Sequence, residues 1–117
     1  MSVRVPIKDL AGRLEEYGAA AFVVTVGADE FPKVVHVPVT LDGEIVRCEP
    51  GEGTTVNISE GTAVTLVFPS PTAGGYSMIV DGKAIPELDR RDSVRIEFVN
   101  GVLHRPPRAV SDSDIHC

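Results

Sequence analysis

A loop rich in glycine and threonine is the part of this chain best suited to hold a phosphate group. Backbone N–H groups and hydroxyls can bind phosphate without a cation, as they do in glycine-rich nests and at helix starts. Gly51, Gly53, Thr54 and Thr55 supply such groups, and a short helical turn is predicted just after them, around residues 55–59. The sequence therefore offers a candidate site for a phosphorylated ligand.

Two carboxylates beside this loop, Glu49 and Glu52, oppose the binding of an anion. At an effective dielectric of about 20, a like charge at about 4 Å costs on the order of 4 kcal/mol before screening. A neutral hydrogen bond returns only about 1 kcal/mol. Basic residues of the C-terminal part could compensate: Arg90, Arg91, Arg95, Arg105 and Arg108. The alternative, in which the threonines cap a helix and the glutamates are solvated, stays open.

Other residue types with chemical potential are few. His36 occupies a strand position from which it could contact a ring system, or it is a hydrogen-bonded structural residue. Close-spaced donors at the end of the chain, Asp112, Asp114, His116 and Cys117, lack a matching upstream pair, so no metal site is predicted. The sequence has no nucleophile elbow, no Ser/His/Asp order and no Walker-type loop, and no catalytic residue is assigned.

Length and charge limit the classes to which this protein can belong. The 117 residues fit one domain, with 43% hydrophobic and 24% charged residues. A net charge of −6 argues against nucleic acid and against anionic membrane as partners. The first six residues lack the apolar core of a signal peptide, and the two cysteines, Cys48 and Cys117, do not suggest a disulfide framework. We expect a cytoplasmic protein.

One helix and a series of strands are predicted to position these residues. Ile7, Leu10, Ala11, Leu14 and Tyr17 form one face of an amphipathic helix. Apolar runs with period two or with β-branched composition predict the strands, at residues 20–26, 33–41, 44–49, 62–68, 76–84, 93–99 and 102–105.

Tight turns punctuate these runs. Asp42-Gly43 predicts a two-residue hairpin, and Asn100-Gly101 predicts a second one that closes the sheet. One helix followed by short, closely spaced strands favours a mainly β fold, a six- to seven-stranded antiparallel split barrel with an N-terminal helix. Residues 1–110 are assigned to the barrel domain, and the acidic tail 111–117 is expected to be disordered.

Four stretches of this chain are similar, in order, to the strands and turns of one known family: residues 22–29, 32–39, 57–67 and 76–84. With the Asp42-Gly43 turn between the second and third, they resemble the pyridoxamine 5′-phosphate oxidase-like split barrels. Members of that family are homodimers that bind FMN or a deazaflavin. The resemblance covers residues 5–105 and rests on strand pattern and turn placement rather than on a signature motif.

The resemblance implies a cofactor at the dimer interface, with its phosphate held by basic or hydroxyl side chains after the third predicted strand. Carried over to this chain, the implied cofactor-binding residues are His36, Val37, Pro38 and Glu49 beside the ring, and Gly53, Thr54, Thr55 and Asn57 in the phosphate loop. The chain departs from the family at one point. It has no Lys or Arg between Arg47 and Lys83.

Two classes of function are compatible with these observations. The first is a flavin- or deazaflavin-dependent oxidoreductase acting on a small molecule, in which the cofactor supplies the redox chemistry. The second is a cofactor-free dimeric barrel that binds another small ligand or serves as an interaction domain. If the family's phosphate contact needs a cation, a lysine at position 54 is expected to strengthen FMN binding.

Overall fold

The computed structural model describes residues 2–87, 90 and 92–105, and the tail from 106 onward lies outside this range. Seven strands are present in the described chain: β1 (Ser2–Arg4), β2 (Ala20–Val26), β3 (Pro32–Asp42), β4 (Ile45–Cys48), β5 (Thr62–Phe68), β6 (Ser77–Pro86) and β7 (Val94–His104). The helices are a short 3₁₀ turn (Ile7–Asp9), α1 (Leu10–Tyr17) and α2 (Glu52–Thr55). The predicted mainly β fold with an N-terminal helix is confirmed.

The strands close into an antiparallel barrel. Hydrogen bonding runs in the order β1-β7-β4-β3-β2-β5-β6, and β6 also pairs with β7. Six strands therefore form the closed barrel, and β1 adds to the edge of β7 that β4 leaves free, with Val3 opposite Leu103. Closure leaves no long sheet edge exposed, which is the physical advantage of a barrel for a chain this small.

Alternation along the strands separates core from surface. In β2 and β3, Ala21, Val23 and Val39 are buried, whereas the side chains between them face outward. Leu10 and Leu14 of α1 join the same core, as the helical period predicted. The core is made mostly of Val, Leu and Ile, with Phe68 its largest fully buried side chain.

The prediction of a closing hairpin at Asn100-Gly101 is wrong. Residues 94–104 form one continuous strand that pairs along β6, with Asn100 opposite Asp81 and Gly101 opposite Val80. Gly101 serves close approach instead of a turn. A Cβ there would lie 2.9 Å from the Val5 carbonyl oxygen, and Val5 N–H donates to Gly101 O at 2.8 Å.

Two further expectations are refined by the structure. The helical turn predicted around residues 55–59 begins earlier, at Glu52, because Gly51 adopts a positive φ of 91° and starts the turn. The strand predicted at residues 76–84 extends to Pro86 and carries a register shift between Asp81 and Gly82, which is the mark of a β-bulge or a similar irregularity. Strands 20–26 and 62–68 have the bounds that the sequence predicted.

Candidate functional site

An uncharged outer face lies on β2 and β3. We call it the β2–β3 outer face, and it is formed by Phe22, Val24, Val26, Val34 and His36. The register places Val24 opposite Val34 and Phe22 opposite His36. Val26 and Val34 are 53% and 54% exposed, which is high for valines in the middle of a sheet. A contiguous apolar surface of this kind marks a binding or association surface.

An aromatic stack forms one end of this face. The rings of Phe22 and His36 are nearly parallel, with centroids 4.3 Å apart and an interplanar angle of 15°. His36 is exposed, whereas Phe22 is only partly exposed. Phe22 thus supports one side of the imidazole ring. The arrangement offers a flat conjugated ligand an aromatic surface bordered by aliphatic side chains.

The α2 segment packs at the end of the barrel where β2 runs into β3. Asn57 Nδ2 donates to Thr25 Oγ1 at 3.2 Å, which ties the residues after α2 to β2. Gly27 allows this contact, because a Cβ there would overlap the Asn57 amide. Asn57 therefore positions the loop instead of standing free for a ligand, although one N–H of its amide has no partner among the described residues.

A cation lies directly over Gly53. A Cβ added to Gly53 would be 2.5 Å from Lys33 Nζ and 2.8 Å from Lys33 Cε. Lys33 is the second residue of β3 and forms no ion pair with any residue in the described part of the chain. Together with Phe31, Asn57 and neighbouring turn residues, Lys33 and Gly53 line a cleft of about 340 Å³, which we call the Lys33 cleft.

The two threonine hydroxyls of the predicted phosphate loop are not available to a ligand. Thr55 Oγ1 donates its only proton to the Gly51 carbonyl at 2.7 Å. Thr54 is fully buried, and its Oγ1 has no hydrogen-bond partner among the described residues. A phosphate needs donors, so neither hydroxyl is placed to serve it in this conformation.

A second cleft, the Arg47 cleft, lies farther along β3 and β4. It measures about 310 Å³ and is lined by Pro38, Thr40, Arg47, Cys48, Glu49, Arg90 and Ser93. Arg47 is held by two carboxylates. Its Nη1 lies 2.7 Å from Asp42 and its Nε 3.2 Å from Glu87, whose carboxylate also accepts from the Ser93 hydroxyl at 3.0 Å.

This network fixes the charge state of the Arg47 cleft. The hydrogen bond to Asp42 raises the pKa of Arg47 further above its ordinary value. Cys48, at the inner wall, is buried, and desolvation with help from the Glu49 charge raises the pKa of its thiol to about 11. The thiol is protonated at neutral pH and is a poor nucleophile. This cleft therefore contributes ionic structure rather than a reactive group.

The structure divides the residues implied by the resemblance among four places. His36 lies on the β2–β3 outer face, and Pro38 and Glu49 line the Arg47 cleft. Val37 points inward and packs against the core. The loop residues lie at α2, two of them in the Lys33 cleft: Gly53 and Asn57 line it, whereas Thr54 and Thr55 do not. Their roles in binding stay predictions.

Lys33 is the residue that sequence reasoning missed. The loop after β4 has no cation in its own sequence, whereas the fold brings one to it from the adjacent strand, β3. A signal was present in the strand lengths. β3 begins ten residues before the turn at Asp42-Gly43, whereas β4 ends soon after that turn. β4 therefore pairs only with the last part of β3, and the segment that follows β4 must pack beside the start of β3.

Metal and membrane features can be stated for the described residues only. Within residues 2–87, 90 and 92–105, no group of three or more His, Cys, Asp or Glu side chains is arranged to hold a metal. The donors considered in the tail lie outside that range, as do Arg91 and Arg108. Neither helix in the described part of the chain has the length and apolar character needed to cross a bilayer.

Comparison with known proteins gives the fold. No protein-family model and no curated protein sequence matches the chain. Among solved structures, the chain is similar to the FAD-binding protein from Mycobacterium smegmatis, with a TM-score of 0.61 and 19% identity over 90% of this chain and 100% of that one. It is also similar to a candidate pyridoxamine 5′-phosphate oxidase from Corynebacterium glutamicum, with a TM-score of 0.58 and 14% identity over 91% of this chain and 100% of that one. The split-barrel fold that the sequence predicted is therefore shown.

Proposed function

We propose that this protein is a flavin-binding split barrel, a homodimer that uses FMN or a deazaflavin to oxidise or reduce a small molecule. The observation that carries the proposal is the exposed stack of His36 on Phe22 in an uncharged face of a barrel. One of the two similar structures is of an FAD-binding protein. A flat isoalloxazine ring suits such a surface, because aromatic rings attract one another in offset-stacked geometry.

The residues present fit a flavin at both of its ends. The ring finds aromatic and aliphatic surface at His36 and Val34, and the phosphate finds the Lys33 cleft, which Gly53 lines. Lys33 lies three positions before His36 on β3, roughly 10 Å of extended strand, and its side chain alternates to the other side of the strand, so the ribityl chain would pass around the strand end at Pro32. Pro32 lines the Lys33 cleft and shares the outer side of β3 with His36, so the outer side of β3 reaches the edge of the cleft.

The chain's own part in the chemistry is to bind, orient and shield the ring. A bound flavin supplies the hydride or electron transfer. On the β2–β3 outer face, His36 is the one titratable side chain, and it is held in place by Phe22. Cys48, at the inner wall of the Arg47 cleft, is a poor nucleophile at neutral pH, because it is buried and its pKa is raised to about 11.

The homodimer rests on the same face. Val34 lies opposite Val24, Val26 lies opposite Pro32 at the next outward position, and Phe31 at the turn is 75% exposed. The partner that this proposal assigns to the face is a second copy of the chain, because the face is uncharged and a self-complementary contact brings no like charges together despite the net charge of −6. The ring then lies where two copies meet, which keeps water away from it.

Binding of the ring is tested by titrating the purified protein with riboflavin, FMN and a deazaflavin while following fluorescence quenching. The wild type is expected to bind, and His36→Ala is expected to lower riboflavin affinity roughly three- to tenfold, the loss of one aromatic contact. Ala63→Ser, an exposed position on β5, is the control and leaves affinity unchanged. If none of the three compounds binds the wild type, the cofactor-free barrel is the correct interpretation.

A further inference from the structure

We propose that Lys33 supplies the cation for the cofactor's phosphate, replacing the basic residue that the loop after β4 lacks. This inference rests on the proposed flavin binding. It assigns a cation to the phosphate end of that site, where the family resemblance assigns none in this chain. In the resemblance, the phosphate is held by residues that follow the third predicted strand. In this chain the cation stands at the beginning of the preceding strand, across from Gly53.

The choice of glycine at position 53 supports this assignment. Gly53 does not have a positive φ, unlike Gly51, so its backbone conformation does not require a glycine. The glycine leaves room for the end of the Lys33 side chain, which is flexible and would shift at little cost. The first atom of any side chain at position 53 would lie 2.5 Å from the Lys33 ammonium nitrogen, so a side chain would push the lysine away.

The electrical surroundings leave the ammonium free for an anion. No carboxylate of the described residues forms an ion pair with Lys33, although Asp29 lines the same cleft. Asp29 Oδ1 accepts a hydrogen bond from Phe31 N at 3.1 Å, and the charge of this carboxylate opposes an anion in the cleft, as that of Glu52 does. The ammonium offers three N–H donors to a phosphate dianion, and charge-assisted bonds of this type are the strong ones.

The loop hydroxyls make a cation more necessary. Thr55 has donated its proton to Gly51, and Thr54 is buried. Without Lys33, a phosphate at Gly53 would rely on backbone N–H groups beside Glu52, a carboxylate that repels it. Lys33 is therefore the group in the described chain that makes phosphate binding favourable at this position.

The test compares FMN with riboflavin, which carries the same ring and ribityl chain without the phosphate. In Lys33→Met, FMN affinity is expected to fall roughly tenfold, the lower end of the charge-assisted range because the site is exposed. Riboflavin affinity should not change. Lys33→Arg keeps a cation and should retain most FMN affinity, and Gly53→Ala, which displaces the ammonium, should weaken FMN in the same direction as Lys33→Met.

Lys8→Met is the matched control, because it removes one exposed positive charge far along the chain from the cleft. The Lys33→Met effect should also shrink at high salt, whereas riboflavin binding should not respond. Far-UV circular dichroism confirms that each variant is folded.

The outcomes separate the two proposals. If wild type binds FMN and riboflavin and Lys33→Met changes neither, or changes both equally, the assignment of Lys33 to the phosphate is overturned while flavin binding stands. If the wild type binds neither compound, flavin binding itself fails and Lys33 has no phosphate to hold.

Discussion

The Arg47 cleft and the Lys33 cleft differ in how their charge is used. In the Arg47 cleft, the guanidinium is shared between Asp42 and Glu87 at 2.7 and 3.2 Å. In the Lys33 cleft, the ammonium lies over a glycine with no ion-pair partner in the described chain. A cation whose hydrogen bonds are made within the protein stabilises local structure, whereas one without a partner can receive an anion. The difference lies in the neighbours rather than in the number of basic residues.

The largest effect is expected from placing a lysine in the loop itself. Thr54→Lys would force an ammonium into a fully buried position, and we expect the free energy of unfolding to fall by about 3 kcal/mol or more. Thr54→Val keeps the shape and removes a buried hydroxyl that lacks a partner among the described residues, so it should raise the free energy by about 1 kcal/mol. Urea unfolding of both variants measures this. If Thr54→Lys kept wild-type stability and gained FMN affinity, the loop would be the true cation site and the contrast between the clefts would fail.

The next effect probes the inner wall of the Arg47 cleft through pH. Burial raises the pKa of the Cys48 thiol from 9.0 to about 11, so the unfolded chain loses this proton first as pH rises. Stability from this group is therefore complete below pH 9 and falls between about pH 9 and about pH 11, by on the order of 2–3 kcal/mol. The free energy of unfolding of wild type and of Cys48→Ala, compared across this pH range, isolates the contribution of the thiol, since all other groups titrate in both proteins. Equal pH slopes in the two proteins would show that the thiol is not desolvated.

A smaller effect is expected on the β2–β3 outer face. Val34→Lys places a charge where two copies are proposed to meet, and the dimer dissociation constant should rise at least about tenfold. Val99→Lys makes the same substitution at an equally exposed valine on β7, and it should leave the dimer intact. Sedimentation should give twice the 12.5 kDa chain mass for wild type and control. A wild type that sediments as a monomer would remove the basis for an interface at this face.

The smallest effect is expected from Arg47. Arg47→Met should leave FMN affinity unchanged and should lower the free energy of unfolding by about 1 kcal/mol, because the pair with the exposed Asp42 contributes little and only the pair with Glu87 is partly buried. Glu87 keeps the Ser93 hydroxyl as a donor at 3.0 Å, so it is not left without a partner. Parallel FMN titrations of Arg47→Met and Lys33→Met test the contrast directly. A larger loss for Arg47→Met would place the phosphate in the Arg47 cleft.

The elements of the fold could be predicted from local patterns. Strands 20–26 and 62–68 and the face of α1 were found because alternation and helical period are properties of consecutive residues. The final strand was mispredicted for the same reason. Asn100-Gly101 is a strong local turn signal, but pairing along the whole of β6 and the close approach of Val5 outweigh it.

The candidate site could be predicted only in part. Position 36 was found because a histidine on the outward side of a strand is visible in the alternation, but its stacking partner Phe22 follows from the β2–β3 register. The loop at residues 51–57 was found from its composition. That its two threonine hydroxyls are committed or buried is a property of packing, which composition does not contain.

By itself, the sequence determined the class of this protein: a small β barrel with one helix, an acidic net charge and a loop with no cation of its own. The tertiary structure decided where the cation comes from. The barrel places the start of β3 beside α2, the helix that follows β4 and begins about twenty residues after Lys33 in the chain. Lys33 reaches Gly53 through space, and only the closed arrangement of strands fixes that distance. Local patterns determine elements, whereas the meeting of charges depends on how those elements pack.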